Sequence, residues 1–123
     1  MKKLSMLSII VVLSLTSGIT TFAQNERCLA FSNDIIKDSQ GKIQNQALDD
    51  NNIYFIKAEV PLKCDFETVK MICDTSAKNT KASFDWRLNY DRNHEKEYII
   101  HGKKVLITFY QNDKFLYFEF PKE

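Results

Sequence analysis

The densest group of metal-ligating and acid–base residue types is His94-Glu95-Lys96-Glu97, followed by His101. On an extended strand Glu95, Glu97 and His101 fall on one side, so a carboxylate–imidazole cation site is the first chemistry to weigh. The spacing is not the H-E-x-x-H pattern that places two imidazoles on one helical face. Asp91-Arg92-Asn93-His94-Glu95 resembles a fragment of a calcium loop but lacks the central glycine and the distal glutamate. The pattern therefore predicts no metal site and no cofactor.

Cys28, Cys64 and Cys73 offer a second chemistry, nucleophilic attack assisted by His94 or His101. It requires a thiolate kept reduced, and the N-terminus argues for an oxidising compartment. Lys2 and Lys3 precede an uncharged, mostly apolar run from Leu4 to Leu15, and small residues lead to Thr21-Phe22-Ala23. That three-part order predicts a secretory signal peptide over residues 1–23, cleaved after Ala23. The apolar run is shorter than the ~20 residues a membrane span needs. Cys28 follows Asn25-Glu26-Arg27 rather than a small apolar box, so lipidation is not expected. A bacterial periplasm or exterior fits this leader, and no N-glycosylation sequon is present.

In that compartment two cysteines pair and one is left over. If a helix opens at Asp65, its ~1.5 Å rise per residue separates Cys64 from Cys73 by about 13 Å, beyond the ~7 Å reach of a disulfide. Cys28 with Cys73, or else with Cys64, is the expected bridge, and the third thiol is buried.

Other catalytic patterns are missing. Gly18, Gly41 and Gly102 stand singly, so no phosphate loop can form. Carboxylate pairs for glycoside hydrolysis are defined by spatial separation that sequence does not show. Trp86 alternates with Phe84 and Leu88, which reads as core rather than a sugar platform. No catalytic residue is assigned. A small secreted hydrolase stays as one alternative.

Residues 24–123 form a single domain. Two of the 17 basic residues lie in the leader, so 15 remain against 16 acidic ones, a formal charge of −1. No block of like charge supports capture of nucleic acid or of an anionic membrane.

The elements that must position these residues follow from periodicity. Cys28, Phe31 and Ile35 mark one face of a helix over 26–38, ended by Ser39-Gln40-Gly41. Residues 39–52 read as a polar loop with a short extended piece at Ile43. Ile53–Val60 read as a strand closed by Pro61. Asp65 is the expected N-cap of a second helix, whose inner face carries Phe66, Val69, Ile72 and Cys73. A strand with Phe84, Trp86, Leu88 and Tyr90 on one face follows, then a strand over 95–100. His101-Gly102-Lys103 turns the chain, and 104–111 and 114–120 pair across a two-residue turn at Asn112-Asp113. The fold class is α+β, one or two helices on a mainly antiparallel sheet of about five strands with a C-terminal β-meander.

In the last hairpin Phe109 faces Leu116, Ile107 faces Phe118 and Val105 faces Phe120, a uniformly apolar side joined by Tyr98 and Ile100. The opposite side carries Leu106, Tyr110, Phe115, Tyr117 and neighbouring Ile99, more apolar than a solvent face requires. The layer rule favours the first helix and residues 39–52 packing over it. Alternatively both helices share the core side, and the five residues form an open protein-binding patch. On that patch rests the expected function: a small secreted or periplasmic non-catalytic protein-binding module, such as an inhibitor, immunity-type protein or accessory subunit. A carrier of a small apolar ligand is a further alternative. The partner is another protein, and the sequence leaves the oligomeric state open.

Overall fold

The computed structural model describes residues 26–49 and 52–120. The expected leader and its cleavage site lie outside the described residues. The elements are α1 (Glu26–Asp38), β1 (Lys42–Asp49), β2 (Asn52–Glu59), α2 (Phe66–Ser76), β3 (Lys81–Leu88), β4 (His94–Ile100), β5 (Lys103–Tyr110) and β6 (Phe115–Glu119). The six strands form one antiparallel sheet in the order β1-β2-β6-β5-β4-β3. The chain is α+β, with two helices on this sheet and a C-terminal meander of β3 to β6.

Free backbone groups are met by a side-chain cap at the start of α2 and by backbone closure at the end of α1. Asp65 caps α2 from an extended backbone, accepting from the Thr68 N–H at 2.9 Å and its hydroxyl at 2.8 Å. At the end of α1, Gln40 adopts φ 60°, and the N–H groups of Gln40 and Gly41 donate to Lys37 and Ile36. This reciprocal closure normally takes glycine at the left-handed position. Here glycine stands one residue later, where a Cβ would meet the Glu59 carbonyl at 3.2 Å.

Both helices cover the same face. Phe31 of α1 packs edge-on against Tyr98 with ring centroids 5.4 Å apart, and Asp74 of α2 accepts from the Tyr98 hydroxyl at 2.6 Å. Tyr98 shares this inner face with Val105, its partner on β5. Ile35, Ile56, Val105, Ile107, Phe109, Leu116 and Phe118 complete a core in which each is at most 1% exposed. The three-layer arrangement is therefore incorrect. The apolar stripe of α1 is buried beside α2 instead, and residues 42–49 join the sheet edge rather than crossing a face.

Three local expectations also change. The 39–52 segment is not a loop: β1 is a mostly exposed edge strand whose polar residues need only one ladder of hydrogen bonds. The last hairpin closes through four residues, Gln111 to Lys114, with Lys114 at φ 62° and its N–H donating to the Tyr110 carbonyl at 2.7 Å. Four and two have the same parity, so Tyr110 still faces Phe115 and every side assignment in the hairpin survives. In β3 the strict alternation fails, because register shifts fall between Ala82 and Phe84 and between Phe84 and Arg87. Phe84 lands opposite Glu97 on the outer face, Trp86 stays partly buried against the core, and Leu88 and Tyr90 are exposed.

Candidate binding face

Three cross-strand rows build the aromatic part of the outer face of the sheet. One runs Phe55–Glu119–Leu106–Glu97–Phe84 from β2 to β3. The next runs Lys57–Tyr117–Thr108–Glu95–Arg87, and the third contains Glu59, Phe115 and Tyr110. Residues directly opposite in antiparallel strands share a face, and rows repeat every second residue. Among the described residues no helix covers this face.

The rings associate with one another. Phe55 meets Tyr117 edge-on at 5.0 Å, and Tyr117 meets Tyr110 at 4.9 Å. The Lys57 ammonium lies over the Phe115 ring at 4.1 Å and near the Tyr117 ring at 5.8 Å. Phe55, Leu106, Tyr110, Phe115 and Tyr117 are all half-buried, and Thr108 beneath them is buried. Burial pushes the Tyr110 hydroxyl above its ordinary pKa, with Tyr117 and the carboxylates of Asp91, Glu119 and Asp113 adding to the shift.

Of the five residues singled out from sequence, Leu106, Tyr110, Phe115 and Tyr117 come together here. Ile99 lies on the same face but at its far end, between Lys81 and Lys104. Phe55, Lys57 and Phe84 were missed. Phe55 and Lys57 alternate away from the core in the sequence, but only the pairing of β2 with β6 brings them to Tyr117. Phe84 reaches the face through a bulge that alternation does not reveal.

The other candidate chemistries separate. Glu95 pairs with Arg87 at 2.9 Å, while His101 sits in the β4–β5 turn, where the Arg27 guanidinium donates to its Nε2 at 2.7 Å. His94 lies on the inner side, stacked on Phe66 at 3.6 Å, and burial holds its pKa below the ordinary value despite Glu67 nearby. Among the described residues no three His, Cys, Asp or Glu side chains converge on a cation position. An open groove of about 850 Å³ runs past Arg27, Asp34, Lys81 and His101.

The expected disulfide is absent. Cys28, Cys64 and Cys73 are free and buried, each occupying the core as a small apolar side chain. Burial pushes all three thiols up, most strongly Cys73, so none is poised as a thiolate.

A partly buried polar network joins α2 to β3 and β4. A single Asp74 oxygen accepts from the Tyr98 hydroxyl at 2.6 Å, the Lys96 ammonium at 3.0 Å and the Trp86 indole N–H at 3.2 Å. Burial opposes ionisation of Asp74, but the three donors outweigh it and hold the carboxyl below its ordinary range. Lys96 also reaches Asp85 at 3.2 Å. The Tyr98 hydroxyl is pushed well above its usual pKa, first by burial and then by its bond to Asp74. The network ties α2 to β3 and β4.

Comparison with known proteins gave no matching family model, no significantly similar curated protein and no significantly similar solved structure.

Proposed function

We propose that this protein is a small secreted or periplasmic, non-catalytic protein-binding module that docks its partner on the outer sheet face. The observation that carries the reading is the string of touching rings, Phe55–Tyr117–Tyr110, half-exposed on the side of the sheet away from both helices. Tyrosines combine a large apolar area with a polar tip and lose little side-chain entropy when held, which is why they anchor protein interfaces. An inhibitor, immunity-type protein or accessory subunit would use such a face. The carrier alternative draws no support from the space between helices and sheet, which Tyr98, Phe109, Phe118, Ile35 and Val69 fill.

Tyr110→Thr with Tyr117→Thr tests the reading while placing β-branched residues suited to a strand at both positions. Tagged protein expressed from the full chain in its source cells is recovered with its partner, and the variant is compared. The expected result is a stoichiometric partner lost in a variant that still melts cooperatively near the parent temperature. A variant that unfolds, or one that retains the partner, overturns the reading. The export reading is tested by fractionation and N-terminal sequencing, with a mature chain starting at Gln24 as the expected result. Retention of Met1 in a cytoplasmic fraction overturns it.

A further inference from the structure

Resting on the protein-binding reading above, we infer that the partner presents a basic segment to this face, with two lysine or arginine side chains about 10 Å apart around an apolar residue. Negative charge is left over on this face. Both cations beside the aromatic group are already engaged. Lys57 lies over Phe115, and Arg87 is held by Glu95 at 2.9 Å and by the Phe84 ring at 3.5 Å. The anions are not. Glu97 and Glu119 flank Leu106 in one row, and among the described residues neither carboxylate has an ion pair or a side-chain hydrogen bond.

Their placement makes the mismatch consequential. Leu106 lies between the two carboxylates, and Glu119 stands beside both Leu106 and Phe55. Any partner that covers the rings and Leu106 therefore removes water from Glu97 and Glu119. An ionised carboxylate covered without a counter-charge is costly, so a neutral or acidic partner is selected against. A partner carrying two cations converts the same desolvation into charge-assisted contacts.

The geometry restricts how the cations are presented. Adjacent strands lie about 4.8 Å apart, so Glu97 and Glu119, two strands apart, are separated by about 10 Å. Seven residues of helix rise about 10.5 Å, so basic residues at i and i+7 with an aliphatic residue at i+3 or i+4 match the row. Lys81 and Lys104 flank Ile99 one row further along. They bound the acidic row there, and acidic residues of the partner belong at that end.

The experiment is selection of a random-peptide display library on protein recovered from cells expressing the full chain, with counter-selection on the Tyr110→Thr, Tyr117→Thr variant. Selected peptides are then titrated against wild type and the Glu97→Gln, Glu119→Gln variant over a range of salt. The expected winners are basic with an apolar centre. They bind the glutamine variant about tenfold more weakly, as two exposed ion pairs predict, and with a flatter salt dependence. Winners that need the tyrosines but are neutral or acidic, or bind the glutamine variant equally, overturn the basic partner and leave the binding face standing. A concentration-dependent dimer abolished by the tyrosine changes assigns the face to a second copy and overturns the proposal. No peptide dependent on the tyrosines removes the protein-binding reading itself. Because neither Glu97 nor Glu119 has an ion pair or side-chain hydrogen bond among the described residues, the glutamine variant is expected to melt with the parent, and a charge-reversed Glu97→Lys, Glu119→Lys protein that gains acidic peptides gives independent confirmation.

Discussion

Replacing Asp74 by alanine removes the acceptor on which Tyr98, Lys96 and Trp86 converge. The three losses are unequal. The Asp74 side chain is 40% exposed, so solvent screens much of its attraction for Lys96, which keeps Asp85 as a partner. Tyr98 is 2% exposed and its hydroxyl is left without an acceptor. An orphaned buried donor costs about 1–3 kcal/mol, so the variant is expected to lose about 2 kcal/mol. In a domain of this size that lowers the melting temperature by roughly 8–16 °C. Asp74→Asn keeps an acceptor and loses only the charge, so its cost is smaller. The decisive assay is a double-mutant cycle by denaturant unfolding. Tyr98→Phe alone is expected to cost about 1 kcal/mol and to become neutral or stabilising in the alanine background, a coupling of about 1–2 kcal/mol. The pH dependence carries a defined sign. The Asp74 pKa is depressed in the folded state, so its stabilisation is present above the ordinary carboxylate pKa of about 4 and is lost as pH falls through the lower folded value. The gap between parent and Asp74→Ala should therefore narrow in acid without closing, because a protonated carboxyl still accepts from the Tyr98 hydroxyl. Costs that add to within about 0.3 kcal/mol, or a gap unchanged down to acid unfolding, would refute the reasoning.

Two further tests address the thiols and the turns. Intact-mass alkylation is expected to leave the native protein unmodified and to add three adducts in denaturant without reductant, because Cys28, Cys64 and Cys73 are free and buried; a single adduct would reveal a bridge. Gly102 sits at φ 82°, and a Cβ added there would meet no atom within 4 Å, so Gly102→Ala should cost about 1 kcal/mol through backbone strain alone. Gln40 at φ 60° has the opposite expectation, with Gln40→Gly raising stability by about 0.5–1 kcal/mol in denaturant midpoints.

What sequence determined by itself was whatever depends on local periodicity and on parity. The apolar spacing in 26–38 set the extent and inner face of α1, and Asp65 marked the start of α2, because helical faces and caps are decided within a few residues. The two faces of the last hairpin were legible even with the wrong loop length, since two-residue and four-residue loops give the same alternation. Tertiary structure decided the rest. Residues 42–49 carry no strong strand pattern, and β1 exists because β2 offers an unpaired edge. The bulges of β3 moved Phe84 outward, a change of register that composition does not encode. Both helices came to lie on one side because their apolar stripes bury against each other and the same sheet face, a choice between distant surfaces rather than between neighbours in the chain. The same long-range pairing, β2 against β6, carried Phe55 and Lys57 to Tyr117 and Phe115. The rings of the candidate face were visible as residues, and their assembly into one surface depended on which strands became neighbours.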